Sequence, residues 1–171
     1  DALAGQARVF ALDLKGFGLT EKPRDGHYHQ AAYVAHLRAF LDALGLERPV
    51  LVGNSMGGAV ARQLALEHPG RVGGLVLVDA APLGLGPQPE GPAAKEADLP
   101  RPPGFQKGLR INPLVFRALI TPALIERGLK SSFRDPAVVT PAMVEAYYRP
   151  TTIDGAAEAM AAMLDPPPEA A

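Results

Sequence analysis

The sequence predicts an α/β chain: a partial parallel sheet flanked by helices, followed by an all-helical segment. Three observations carry this. Brief apolar runs of strand length alternate with amphipathic stretches up to residue 80, which implies parallel strands joined by right-handed crossovers. A break follows at 81–104, with seven prolines and four glycines in 24 residues. Short helical stretches separated by Pro or Asp-Pro occupy the remainder.

Taken in order, Ala7 to Leu12 is a short apolar run bounded by Gly5 and Asp13 and predicts a buried strand. The loop from Asp13 to Pro23 holds Gly16 and Gly18, where the backbone must turn sharply or approach another segment closely. From Gln30 to Leu46 the residues Tyr33, Val34, Leu37, Phe40, Leu41 and Leu44 recur at three- and four-residue steps, giving a helix with one apolar face and a stop at Gly45. Pro49 to Val52 is a second strand, feeding into the turn Gly53 to Gly58 and a helix from Met56 to about His68 that ends at Pro69-Gly70. Gly74 to Val78 is a third strand. Helices are expected at 112–120, 122–129, 141–148 and 155–164; Thr121-Pro122 and Thr140-Pro141 each place a capping hydroxyl before a proline at the first helical position. The chain therefore divides into a core at 1–80, an excursion at 81–104 and a helical part at 105–171.

Composition excludes several function classes. With 17 basic and 18 acidic residues and a net charge of -1, the 171-residue chain has no electrostatic footprint for nucleic acid or an anionic membrane. There is no cysteine, so disulfides, thiolate metal sites and cysteine nucleophiles are excluded. No apolar run reaches the roughly 18–20 residues that span a bilayer. Gly16 and Gly18 do not make a dinucleotide fingerprint, because Glu21 stands where a third glycine is required. A small-molecule substrate is the expected partner, without metal or cofactor, and a cytoplasmic location is expected; the oligomeric state is left open.

The chemistry is concentrated in Gly53-Asn54-Ser55-Met56-Gly57. A serine hydroxyl is a poor nucleophile and must stand at an exposed tip, where a base can take its proton and backbone amides can hold an oxyanion. Strand, Gly-x-Ser-x-Gly, helix meets that need: the turn holds Ser55 in a strained conformation, Gly53 and Gly57 remove side chains that would collide with their neighbours, and the Met56 amide offers one oxyanion donor at the positive end of a helix. Three fixed positions recur by chance in roughly 5% of chains of this length. The Val-Leu-Val strand before the turn and the amphipathic helix after it supply the context that the motif requires.

These residues resemble the α/β-hydrolase family. The likeness is carried by the run from Arg8 to Gly18, by Val50-Leu51-Val52-Gly53-Asn54-Ser55-Met56-Gly57-Gly58, and by His68-Pro69-Gly70-Arg71-Val72 with Leu75-Val76-Leu77-Val78-Asp79. It implies an α/β-hydrolase fold with a helical cap insertion, here Pro82 to Leu164. The elbow is similar to those of carboxylesterases and of meta-cleavage carbon–carbon bond hydrolases, and Ser55 argues against the epoxide hydrolases and haloalkane dehalogenases, which use aspartate there. The expected activity is hydrolysis of a small, largely apolar ester or acyl compound through an acyl-enzyme on Ser55. The alternatives are a carbon–carbon bond hydrolase, a non-catalytic ligand-binding protein on the same fold, and a cofactor-free haloperoxidase, against which the long segment after Asp79 argues.

The family order of serine, acid, histidine leaves His68 as the one histidine after the elbow. It lies 13 residues on, at the far end of the same helix, roughly 20 Å from the serine, and is expected to be a helix-terminal residue. His27, His29 and His36 are expected on solvated surface. Asp79 ends the strand after the elbow, where some family members place the triad acid; a structural or loop-capping role is favoured for it. The base, the acid and the second oxyanion donor are thus expected outside these residues, with the 171-residue chain alone nearly inactive and its sheet edges exposed.

Overall fold

A computed structural model describes residues 2–3, 5–80 and 112–164. Its elements are α1 (Gln30–Ala43), β1 (Val50–Asn54), α2 (Met56–Glu67), β2 (Gly74–Val78), α3 (Pro113–Leu119), α4 (Pro122–Ser132), α5 (Pro141–Tyr148) and α6 (Ala156–Leu164), with single 3-10 turns at Pro69–Arg71, Pro136–Val138 and Arg149–Thr152. The excursion expected at 81–104 lies outside the described residues. No helix among those described is long and apolar enough to cross a membrane.

β1 and β2 pair in parallel, with Val50 opposite Gly74 and Asn54 opposite Val78, and α2 is the crossover between them. α1 packs on α2, and α2 packs on the sheet. The core forms where these layers meet. Leu64 and Val60 are its most completely buried large side chains, surrounded by Tyr33, Val34, Leu37 and Leu41 of α1. These are the apolar positions that the helical spacing of α1 selected. Gly45 follows the helix in a left-handed conformation at φ 59°, the usual glycine stop.

Alternation along β1 turns Leu51 and Gly53 toward α2, while Val50 and Val52 on the other face are 63% and 69% exposed. Continuous Val/Leu runs belong to parallel strands covered on both sides; the described residues cover one face of β1 and leave Leu75, Val76, Leu77 and Val78 of β2 exposed.

The strand expected over Ala7 to Leu12 does not form: residues 8–14 are irregular. A strand exists only as part of a hydrogen-bonded ladder, and among the described residues the sole sheet is β1 with β2. Val9 and Phe10 are exposed, and Phe10 rests its ring edge-on against Phe40. The first half therefore runs helix, strand, helix, strand.

The later helices begin where their caps place them. Thr121 Oγ1 accepts the Leu124 N–H and Thr140 Oγ1 accepts the Met143 N–H, each at 3.2 Å. This half returns to the core through α6. Ala159 joins the central cluster, and the Met163 methyl lies so close to Gly16 that a Cβ there would collide with it. Arg24 pairs with both Asp154 at 3.0 Å and Glu158 at 3.1 Å, although such exposed pairs contribute at most about 1 kcal/mol.

One group in the core is poorly accommodated. The Tyr33 side chain is buried, yet its hydroxyl has no hydrogen-bond partner among the described residues. Burial pushes its pKa up to about 12, with a smaller contribution from Tyr28. The native state thus holds this proton more tightly than the unfolded chain, whose tyrosines titrate near 10. The resulting stability is complete below pH 10 and is lost as pH rises toward 12. Tyr33→Phe is expected to raise stability by about 1 kcal/mol, since an unpaired buried hydroxyl costs ~1–3 kcal/mol, and to lessen the fall between pH 10 and 12. Urea midpoints at pH 8 and pH 11 check both.

Candidate active site

The elbow is built by the end of a ladder and the start of a helix. β1 stops at Asn54, one residue passes, and α2 starts at Met56. That residue, Ser55, has φ 49° and ψ -118°, a strained combination for a side chain with a Cβ. Its amide donates to the Val78 carbonyl at 3.0 Å, and its own carbonyl accepts the Ala59 N–H at 3.1 Å as the first bond of α2. Backbone bonds on both sides therefore fix Ser55, while its side chain is left exposed and makes no hydrogen bond among the described residues. The Met56 N–H belongs to the first turn of α2, where amides lack an intrahelical acceptor and the helix end is positive.

The glycines divide differently from the expectation. A Cβ on Gly53 would lie 2.5 Å from the backbone of Gly57 and Gly58, so this position admits no side chain. Gly57, expected to be equally constrained, has nothing within 4 Å of a Cβ among the described residues, and it is Gly58 that is crowded, with Ala80 Cβ at 2.4 Å and Gly53 O at 2.9 Å. One step along a helix rotates the side-chain direction by about 100°, so Gly58 rather than Gly57 faces the strand ends. The doubled glycine in the sequence was the signal.

Asn54 was not singled out from the sequence. Its Nδ2 donates to the same Val78 carbonyl at 3.2 Å, adding a second tie between the elbow and β2. A polar residue ending an otherwise apolar strand was the available sign.

Asp79 follows Val78, which the register pairs with Asn54, so it leaves β2 beside the point where Ser55 leaves β1. Its φ of 48° is also left-handed. Its carboxylate is exposed and caps no backbone group among the described residues, so the favoured loop-capping role has no hydrogen bond behind it.

None of the four histidines hydrogen-bonds Ser55. His68 caps the C-terminal end of α2, where its Nε2 meets Arg38 Nη1 at 3.4 Å. His27 is exposed, as expected, with its ring edge-on to His29. His29 and His36 depart from the solvated reading: both are half-buried, with His29 Nδ1 and His36 Nε2 enclosed and unpartnered. The N-terminal end of α1 packs into the core, and polar atoms at its edge are enclosed with it. No group of three or more His, Asp or Glu side chains is placed to hold a metal among the described residues.

Comparison with known proteins agrees with this architecture. Residues 1–159 match the family model for the alpha/beta hydrolase fold. The 2-hydroxymuconate semialdehyde hydrolase of Pseudomonas putida is 34% identical over 160 residues, which is 94% of this chain and 50% of that protein. The enzyme of the same name from Pseudomonas sp. strain CF600 is 48% identical over 79 residues, 46% of this chain and 28% of that protein. Among solved structures, the meta-cleavage product hydrolase CumD of Pseudomonas fluorescens IP01, as a serine-to-alanine mutant complexed with acetates, superposes with a TM-score of 0.68 at 25% identity, covering 96% of this chain and 56% of that one. The chain thus spans about half the length of these relatives, or less.

The crowding makes a paired prediction. Gly53→Ala is expected to cost ~1–3 kcal/mol by overpacking, lowering the thermal midpoint by roughly 2–12 °C at ~2–4 °C per kcal/mol. Gly57→Ala, at a helical position with open space among the described residues, is expected to leave stability unchanged or raise it by up to about 1 kcal/mol, and so not to lower the midpoint. Thermal denaturation of both variants checks the difference.

Proposed function

The chain belongs to the alpha/beta hydrolase fold family, and from that footing we propose that the whole protein hydrolyses a carbon–carbon bond in a conjugated dienoic keto acid, with Ser55 as nucleophile and the Met56 amide as one oxyanion donor. The observation that carries this reading is the likeness to 2-hydroxymuconate semialdehyde hydrolase, which runs over 94% of the chain and so takes in the helical half as well as the elbow. Ester hydrolysis, the first expectation from the elbow, uses the same serine. It is the weaker reading, because 2-hydroxymuconate semialdehyde hydrolase matches over 94% of the chain and the meta-cleavage product hydrolase CumD over 96%.

The chemistry is consistent with the geometry. The serine Oγ adds to the acyl carbonyl carbon, the carbonyl π pair moves onto the carbonyl oxygen, and the negative charge there is met by the Met56 amide at the helix start. Breaking a carbon–carbon bond needs a leaving carbon that can hold an electron pair. A conjugated keto-dienol provides this, since the pair runs into the extended carbonyl system and the carbon then takes a proton. Water releases the acyl group from Ser55 as a carboxylic acid. The base that takes the Oγ proton is assigned to the part of the whole protein that follows these residues in the family order. No cofactor takes part in this sequence of steps.

The discriminating experiment offers the whole protein 2-hydroxymuconate semialdehyde and a short-chain nitrophenyl ester. Loss of the dienolate absorbance is expected at a kcat/KM above that for the ester, and Ser55→Ala is expected to lower it by roughly 10³-fold or more. Faster ester turnover with an unreactive dienoate would return the assignment to a carboxylesterase.

A further inference from the structure

A cleft of about 650 Å³ opens between the Asp13–Lys22 loop and the later helices. Its volume is that of a site for a small organic molecule. Phe17 and Leu19 form one wall, Phe116 and Met160 contribute to the other, and Tyr147 and Arg149 belong to the same lining. Neither Ser55 nor Met56 lines it, so the cleft is a different place from the elbow and does not depend on the hydrolysis proposed above.

The polar groups around this cleft are unevenly committed. Lys22 is buried, and its Nζ donates to the carbonyls of Gly18 at 2.8 Å, Thr20 at 2.9 Å and Phe17 at 3.5 Å. All three ammonium hydrogens are thereby used within the loop. Asp13 Oδ2 accepts the Leu19 N–H at 2.9 Å, and the Asp13 charge acts on Lys22 in the opposite sense to its burial. These two charges offset each other as parts of the loop. Thr151 Oγ1 is committed to the Tyr148 carbonyl at 2.6 Å. Arg149 is different. Among the described residues its exposed guanidinium has no ion pair and the Tyr147 hydroxyl has no hydrogen bond. Among the described residues the uncommitted side-chain groups on the lining are then the Arg149 guanidinium, the Tyr147 hydroxyl and Asp13 Oδ1, and with Lys22 and Arg149 against Asp13 the lining carries a net positive charge.

From this we infer that the cleft is a second binding site, which takes a monocarboxylate with an apolar body, the chain or ring lying between Phe17, Leu19, Phe116 and Met160 and the carboxylate meeting Arg149 with help from Tyr147. An arginine–carboxylate contact is charge-assisted and suits the planar guanidinium. The apolar body supplies the remaining affinity by leaving water. A neutral amphiphile would gain the second contribution but not the first.

The four methionines make the site directly readable. Met160 lines the cleft, whereas Met56 begins α2 beside Ser55. Protein labelled with ¹³C at the methionine methyls is titrated with decanoate and, separately, with 1-decanol. Decanoate is expected to shift the Met160 resonance and leave Met56 in place, with the same result in Ser55→Ala. In Arg149→Gln the decanoate Kd is expected to rise roughly tenfold, the equivalent of about 1.4 kcal/mol, while the decanol titration is unchanged. Shifts at Met56 in place of Met160, no shift at all, or equal decanoate affinity in Arg149→Gln would each overturn the assignment. The hydrolytic reading, which rests on turnover at Ser55, would stand or fall separately.

Discussion

The Val78 carbonyl accepts two hydrogen bonds at the end of β2, one from the Ser55 amide at 3.0 Å and one from Asn54 Nδ2 at 3.2 Å. Without that shared acceptor, β1 would have no fixed end. The strained φ of 49° at Ser55 would then relax, since a residue stays in such a conformation only where its surroundings over-determine it. The second requirement is Gly53. Only a residue with no Cβ allows the first turn of α2 to lie against the strand it has just left. From these two conditions follow the abrupt reversal from strand to helix, the exposure of the serine side chain and the placement of the Met56 amide. Leu64 and Val60, buried against α1, then hold the helix that carries the elbow.

Much of this was legible because it is local. The apolar spacing of α1, the run of β2, the stop at Gly45 and the caps at Thr121 and Thr140 are decided by residues within a few positions of one another. The elbow was legible for the same reason, as strand, turn and helix are contiguous. Features that depend on partners distant in sequence were not. The run Ala7 to Leu12 has the composition of a strand, but composition does not provide a neighbour, and no described strand pairs with it. The doubled glycine marks the place in the sequence, but that Gly58 and not Gly57 is the crowded one depends on Ala80 returning beside the helix. The enclosure of His29 and His36 likewise depends on tertiary packing rather than on local polarity.

The loop at 13–28 joins the two halves, and its sequence explains why it can. Gly16 gives way to the Met163 methyl, and Lys22 bends the loop around its own ammonium while its backbone carbonyl lies against Gly155, where a Cβ would meet it at 2.4 Å. Gly155 has φ 81° and starts α6 from a conformation that favours glycine. Close glycine contacts at both ends of α6, more than the exposed ion pairs of Arg24, hold the helical half against the core. The cleft lined by Phe17 and Arg149 lies along this same junction, so the residues that seat the helices also shape the space between them.

A strained, exposed Ser55 that acts as the nucleophile is open to covalent trapping. The whole protein is treated with a fluorophosphonate and the modified peptide is identified by tandem mass spectrometry. A single adduct on Ser55, absent from Ser55→Ala, is the predicted result. An adduct on Ser131 or Ser132, or an unmodified Ser55 in protein that turns over substrate, would contradict it.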